Sequence, residues 1–294
     1  MAFTHNQFKV IYELWKKPGL TQREIATAAD LSVGTVNRAM ADLHERGFVR
    51  EGMLSAAGLE ALEPYRVKRA VLIAAGFGSR LVPITLNTPK PLIRVQGRRI
   101  IDSLLDAVYA AGIEEVYVVR GYLAEQFDQL LYKYPGLKFI ENPFYNEANN
   151  ISSAVAAKDL LQNAYVFESD LLLYNPKLIT KYQYSSNYLG VPVQVTDDWC
   201  FQTRRGVITG LSVGGTDCHH MFGISYWTEE DGRKLADDVP ATFAMPGGKE
   251  RYWDEVALRY FARNYEVVVR ECTFDDVIEI DTYRELQELD KAYV

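Results

Sequence analysis

Cysteine is scarce in this chain of 294 residues: Cys200, Cys218 and Cys272 are an odd number at wide spacing. That excludes a disulfide framework or a spaced zinc site and points to reduced thiols. The four histidines are no richer in metal chemistry. The adjacent pair His219-His220 would point to opposite faces of a strand, which leaves surface or packing roles. No apolar run approaches the ~18 residues of a membrane span. The opening Met1-Ala2-Phe3-Thr4-His5-Asn6 lacks a charged-then-apolar leader, so no secretion is read there and a cytoplasmic location is expected. Repeats and low-complexity tracts are absent as well. A basic excess is also missing. Net charge is −7, and residues 1–66 carry 8 basic and 8 acidic residues, so the deficit falls wholly on the remainder. An acidic body discourages non-specific nucleic-acid binding, whose affinity comes mainly from phosphate neutralisation.

With 48% apolar residues the chain has ample material for packed cores, and its length implies two domains, 1–66 and 67–294. In the first, Phe8, Ile11, Tyr12 and Trp15 recur at helical spacing before Pro18-Gly19 ends the helix. Thr21-Gln22-Arg23-Glu24 is a capping-box pattern that opens a second helix, with Ile25 and Ala28 facing inward. A third helix places Val36, Met40 and Leu43 on one face, and residues 47–54 read as a small hairpin. Three helices and a hairpin resemble a winged helix-turn-helix. Its candidate recognition helix offers Thr35, Asn37 and Arg38 outward, but Asp42 and Glu45 too. DNA therefore stays an open partner, less favoured than a structural, dimerising or regulatory role, and a homodimer stays open with it.

The second part opens on an apolar strand, Ala70-Val71-Leu72-Ile73, that runs into Ala74-Ala75-Gly76-Phe77-Gly78-Ser79-Arg80 and on to Thr88-Pro89-Lys90. Gly76 and Gly78 let the backbone turn sharply and bring N–H groups against a polyphosphate. Arg80 and Lys90 add two cations for the same anion. The loop lacks both the Gly-Lys-Ser/Thr ending of a P-loop and the Gly-x-Gly-x-x-Gly of a dinucleotide fold. Further strands at 115–120, 138–141 and 165–168 alternate with helical segments, which argues for an α/β sheet covered on both faces. Ligands of such sheets lie at the carboxyl ends of the strands, where the loop, Gly121 and Asp170 fall. Asp170, closing the strand in Glu168-Ser169-Asp170, is the first candidate Mg²⁺ ligand, because Mg²⁺ takes one or two carboxylates alongside phosphate oxygens.

The full string from Ala74 to Lys90 resembles the nucleotidyltransferase family. Together with Gly121-Tyr122-Leu123-Ala124-Glu125-Gln126-Phe127 and Asn142–Ser153, it is similar to the bacterial choline-phosphate cytidylyltransferases within that family. The resemblance implies a Rossmann-like mixed sheet flanked by helices and in-line attack of a substrate phosphate on CTP with loss of pyrophosphate. It places Ala74, Ala75, Gly76, Gly78, Ser79, Arg80, Lys90, Gly121, Tyr122 and Glu168 at the nucleotide, and Asn149, Asn150 and Ser153 at the pyrimidine. Lys90, Arg80 and Asp170 become the catalytic set. Asp254 matches the second Mg²⁺ aspartate, with Asp281 as fallback or as the cap of the last helix. The acceptor implied is phosphocholine, whose quaternary ammonium needs ring faces; Trp199, Tyr226, Trp227, Tyr252 and Trp253 are the cage candidates. Relatives tend to show Asp-x-Asp where this chain has Glu-x-Asp, so the resemblance does not assign Glu168 to the metal. Another acceptor (phosphoethanolamine, 2-aminoethylphosphonate or a sugar-1-phosphate) is the rival within enzymology. A nucleotide-sensing transcriptional regulator is the rival from outside it.

Overall fold

The computed structural model describes residues 3–294. Met1 and Ala2, where the leader was sought, lie outside the described residues. The chain forms two compact units: one runs to Arg66 and takes in Tyr182–Tyr184, and the other holds Val67–Lys181 and Ser185–Val294. The return of Tyr182–Tyr184 to the first unit is invisible locally in the sequence. It follows from ring packing: Tyr184 stacks on Tyr65 at 5.7 Å and Tyr182 sits edge-on to Trp15 at 5.0 Å.

In the first unit, α1 (His5–Lys16), α2 (Gln22–Ala29) and α3 (Val33–Glu45) precede the hairpin β1 (Val49–Arg50) and β2 (Met53–Leu54), then α4 (Ala56–Leu62). Capping boxes at Thr4/Gln7 and Thr21/Glu24 open α1 and α2, each satisfying two otherwise orphaned N–H groups. Ile25, Ala26 and Ala29 turn into the core, whereas Ala28 is exposed. The inward stripe thus follows the four-residue spacing from Ile25 instead of the three-residue one. The helix α4 was not foreseen, because Ala-Ala-Gly-Leu-Glu-Ala-Leu carries only two large apolar residues.

The second unit is built from β3 (Arg69–Ile73), a short ladder of β4 (Arg94–Val95) with β5 (Arg98–Arg99), α5 (Ile100–Ala110), β6 (Glu115–Arg120), β7 (Lys138–Glu141), α6 (Ile151–Ala156), β8 (Ala164–Glu168) and β9 (Leu171–Leu173). It continues with β10 (Asn187–Arg204), β11 (Val207–Trp227), α7 (Glu229–Ala244), β12 (Val268–Glu271), β13 (Val277–Glu279) and α8 (Tyr283–Leu289). The main sheet has seven strands in the order β10-β12-β11-β8-β3-β6-β7. β8, β3, β6 and β7 are parallel, and β11 pairs antiparallel with β8. The expected α/β architecture is present, as a mixed sheet.

Alternation along β3 explains its continuous apolar run. Ala70 and Leu72 enter the core on the α5 side, while Ile73 enters the core shared with α6 and α7. A strand buried on both faces needs apolar residues at every position. The carboxyl ends of β3 and β8 are then neighbours, Ile73 opposite Glu168, which sets the glycine loop beside the acidic strand end. β9 follows at once and pairs with β13, Leu171 opposite Glu279, so the C-terminal segment delivers further carboxylates to the same edge.

Candidate active site

Gly78 has φ +62°, and a Cβ there would lie 3.0 Å from both the Lys90 Cβ and the Thr85 Cγ2. Glycine is required for conformation and for space. The loop is closed by the Thr85 hydroxyl donating to the Gly78 carbonyl at 2.9 Å, which fixes Lys90 beneath the turn. Lys90 is 8% exposed; its Nζ donates to Asp170 Oδ2 at 2.9 Å and to Asp281 Oδ1 at 3.0 Å. Burial alone would lower its pKa, but Asp170 and Asp281 outweigh that and hold it above the usual lysine value. Arg80, on the exposed side, reaches the same Asp281 oxygen at 2.8 Å.

Gly78, Arg80, Lys90, Asp170 and Asp281 line one cavity of about 630 Å³. Of the residues anticipated at the nucleotide, Ala74, Gly76, Gly78, Ser79, Arg80, Lys90, Asn149, Asn150 and Glu168 lie on its wall. Others act behind it. The Ala75 carbonyl accepts the Tyr122 N–H at 3.1 Å, and the Tyr122 hydroxyl donates to the Thr85 carbonyl at 2.9 Å. Gly121 backs onto Tyr145, leaving 2.6 Å to a Cβ. Ser153 is buried, its Oγ accepting from Asn142 Nδ2 at 3.0 Å.

The acidic wall departs from expectation. Carboxylate oxygens of Glu168, Asp170 and Glu279 lie within 4.8 Å of one another, and Asp170 Oδ1 is buried without a hydrogen-bond partner. Such a donor set suits a hard divalent cation. Burial first, then the charges of Asp170 and Asp281, keep the Glu279 carboxyl well above the usual carboxylate range. Burial and then Asp254 and Asp170 do the same for Glu168. Glu279 was missed in the sequence, although the two-residue step from Glu279 to Asp281 was a signal that both share one side of an extended segment. Asp281 is not the helix cap. Thr282 caps α8 through its own capping box, which frees Asp281 for Lys90 and Arg80.

Asp254 lines the cavity but falls outside that three-carboxylate group. Its Oδ1 accepts the Tyr188 hydroxyl. Burial pushes its carboxyl from 3.8 up to about 7, with the Tyr188 hydrogen bond pulling the other way. A carboxyl raised in the folded state binds its proton there before it does in the unfolded chain, so stability falls as pH rises from about 4 to about 7. In ligand-free protein Asp254→Asn removes this slope. It should stabilise by on the order of 4 kcal/mol at pH 8 and by less than about 1 kcal/mol at pH 4. Thermal melts at both pH values check it; equal changes at the two would show that Asp254 does not titrate in this window.

The ring cage requires correction. Tyr226, Trp227 and Trp253 are 1%, 0% and 2% exposed, and none lines the cavity. Trp227 and Trp253 pack edge to face at 5.9 Å, with Tyr188 beside both. Their apolar area is worth more in the core than at a wet wall. Trp199 and Tyr252 do line the cavity, their rings 5.4 Å apart at 66°. Trp253→Ala should cost about 3–5 kcal/mol of stability, and Trp199→Ala about 1 kcal/mol or less. Denaturant titration of both variants separates core from wall; equal losses would refute the distinction.

A model of the nucleotidyl transferase family matches residues 69–187. The 2-aminoethylphosphonate cytidylyltransferase of Lancefieldella rimae is 35% identical over 76% of this chain and 93% of its own length. This chain belongs to the nucleotidyl transferase family. Within it the catalytic unit is that of a cytidylyltransferase. The choline-phosphate cytidylyltransferase of Streptococcus pneumoniae is 28% identical over 75% of this chain and 97% of its own. A solved structure of the CTP:phosphocholine cytidylyltransferase from that organism superposes with a TM-score of 0.71 at 28% identity, covering 78% of this chain and all of that one. A model of winged helix-turn-helix DNA-binding modules matches residues 3–50 of this cytidylyltransferase, the N-terminal addition to its catalytic unit. Among the described residues no helix is long and apolar enough to cross a membrane.

Proposed function

We propose that the enzyme transfers a cytidylyl group from CTP to a small phosphonate or phosphate bearing a primary ammonium, 2-aminoethylphosphonate before phosphocholine. One observation carries the choice of acceptor. The wall beyond the acidic strand end offers one ring pair, the half-buried Trp199 and the exposed Tyr252, together with the carboxyl of Glu168 and the buried one of Asp254. A primary ammonium donates three hydrogen bonds and is well matched by carboxylates, whereas a trimethylammonium donates none and depends on ring faces. The 35% identical relative, named for 2-aminoethylphosphonate, supports the same order.

An acceptor oxygen forms a bond to the α-phosphorus as the bond to the β-phosphate oxygen breaks, and pyrophosphate leaves. Backbone N–H groups of the Gly76–Gly78 turn cradle the phosphates. Lys90, already charged and fixed, stands where two anions must approach each other and neutralises both, and Arg80 takes the outer phosphates. The Asp170 and Glu279 oxygens would hold Mg²⁺, which when bound offsets the charge on the α- and leaving phosphates, and Glu168 is left to the acceptor. Pyrophosphate release with Mg²⁺, crossing CTP, UTP, ATP and GTP with 2-aminoethylphosphonate, phosphoethanolamine, phosphocholine and glucose-1-phosphate, tests the reading. CTP with 2-aminoethylphosphonate should exceed CTP with phosphocholine by about tenfold or more in kcat/KM. Equal or better use of phosphocholine would overturn the acceptor.

The similarity of residues 3–50 to DNA-binding modules favours a second activity in the N-terminal unit, contact with duplex DNA. Its balanced charge argues for weak binding, since Asp42 on α3 already takes Arg46 and Gln7. A gel-shift titration of the whole protein tests it, and no retarded duplex at low salt would remove DNA as a partner.

A further inference from the structure

We propose that Asn150 is a positioning residue for the acceptor end of the site, and that it does not read the base. Both ends of its amide are tied into the wall. Nδ2 donates to Glu168 Oε1 at 3.0 Å, and Oδ1 accepts the backbone N–H of Trp253 at 2.9 Å. Reading a cytosine edge would require the carbonyl and amino ends to turn together toward the base; here they are used side by side to bridge β8 to the segment before Asp254. Asn149 ties the same segment one step earlier. Its N–H donates to the Lys249 carbonyl at 2.7 Å and its Nδ2 to the Glu250 carbonyl at 3.3 Å, while its Oδ1 accepts the Asn150 N–H at 2.7 Å. The paired asparagines are thus a strap holding residues 249–254, with Tyr252 and Asp254, against the end of β8.

Glu168 is gripped from the other side as well. A Cβ at Gly223 would lie 2.6–2.7 Å from the Glu168 Cγ, Cβ and Oε2. Glycine there gives the glutamate the room its extra methylene needs, and Asn150 then fixes its carboxyl. Asn150, Glu168, Gly223, Tyr252 and Asp254 all line the one cavity. Loss of the Asn150 donor would release Glu168 and loosen the Trp253-Asp254 turn, the two places where the ammonium is bound.

The assignment rests on the reading of this wall as the acceptor end, but the two fail separately. The wild-type acceptor panel tests that reading. The Asn150→Asp variant tests the strap with whichever acceptor the wild-type enzyme takes. It keeps the size of the side chain and an oxygen for the Trp253 backbone N–H, and replaces the donor to Glu168 with a second carboxyl group. Acceptor KM should rise about tenfold or more, with CTP KM and the preference for CTP over UTP changing by less than about twofold. In the swapped pair Asn150→Asp/Glu168→Gln, a donor faces an acceptor again and the pair keeps one carboxylate, now at position 150, so at least about a third of the lost acceptor affinity should return. A rise in CTP KM or relaxed discrimination against UTP, with acceptor KM unmoved, would restore Asn150 to the base and overturn the proposal. A lower melting temperature with both KM values unchanged would also overturn it, leaving a purely structural role.

Discussion

Lys90→Ala should lower kcat by about 10²–10³-fold, the scale on which single preorganised charge-stabilising groups contribute to transition states. The side chain is fixed before substrate arrives, by Asp170 at 2.9 Å and Asp281 at 3.0 Å, so no reorganisation accompanies the reaction. Its removal also leaves two carboxylates facing each other without their shared cation. That is unfavourable but softened by solvent, since Asp170 and Asp281 are 21% and 20% exposed. Turnover should therefore fall much further than stability. Single-turnover pyrophosphate release beside thermal melts measures both. Lys90→Arg, which keeps the charge but not the compact ammonium, should recover only part of the rate. Wild-type turnover by Lys90→Ala would remove the lysine from the chemistry.

Asp170→Asn has the second-largest expected effect, a loss of about 10²-fold or more in kcat under saturating Mg²⁺. The stability change should be small and of either sign, because two opposing contacts go together. The variant loses the ion pair to Lys90, but it also removes a negative charge from beside Glu168 and Glu279, whose carboxyls are held above the usual range by burial first and by neighbouring charges, Asp170 among them, second. A magnesium titration followed by melting temperature distinguishes the role. Millimolar Mg²⁺ should raise the melting temperature of the wild-type protein and leave that of Asp170→Asn unchanged. Equal responses in the two proteins would place the cation elsewhere. If Asp170→Asn turned over normally, the carboxylate cluster would have no catalytic part.

Much of the site could be read where chemistry and chain order coincide. The phosphate loop is local: strand, glycines and both cations lie within 69–90, and their spacing dictates their meeting. Asp170 ends a buried strand, so its position at the carboxyl edge of the sheet follows from α/β topology alone. The aromatic residues were different. Trp227 and Trp253 stand close to chemistry-bearing residues in sequence, but a ring on a strand or before a helix does not declare whether its side faces ligand or core. Only the packing of Trp227, Trp253 and Tyr188 against one another shows that they form the support behind Asp254.

The amino-acid sequence by itself determined the α/β class, the helical N-terminal module, the phosphate loop and the family, because each rests on local periodicity or on residues adjacent in the chain. The tertiary structure decided which carboxylates share a site, which rings touch a ligand and what the asparagines hold. Glu279 reaches Asp170 only through the pairing of β13 with β9, and Asn150 reaches Trp253 across 103 residues. Such contacts depend on the register of distant strands and on the competition of each side chain between core and cavity, and neither quantity is written in any local stretch of the chain.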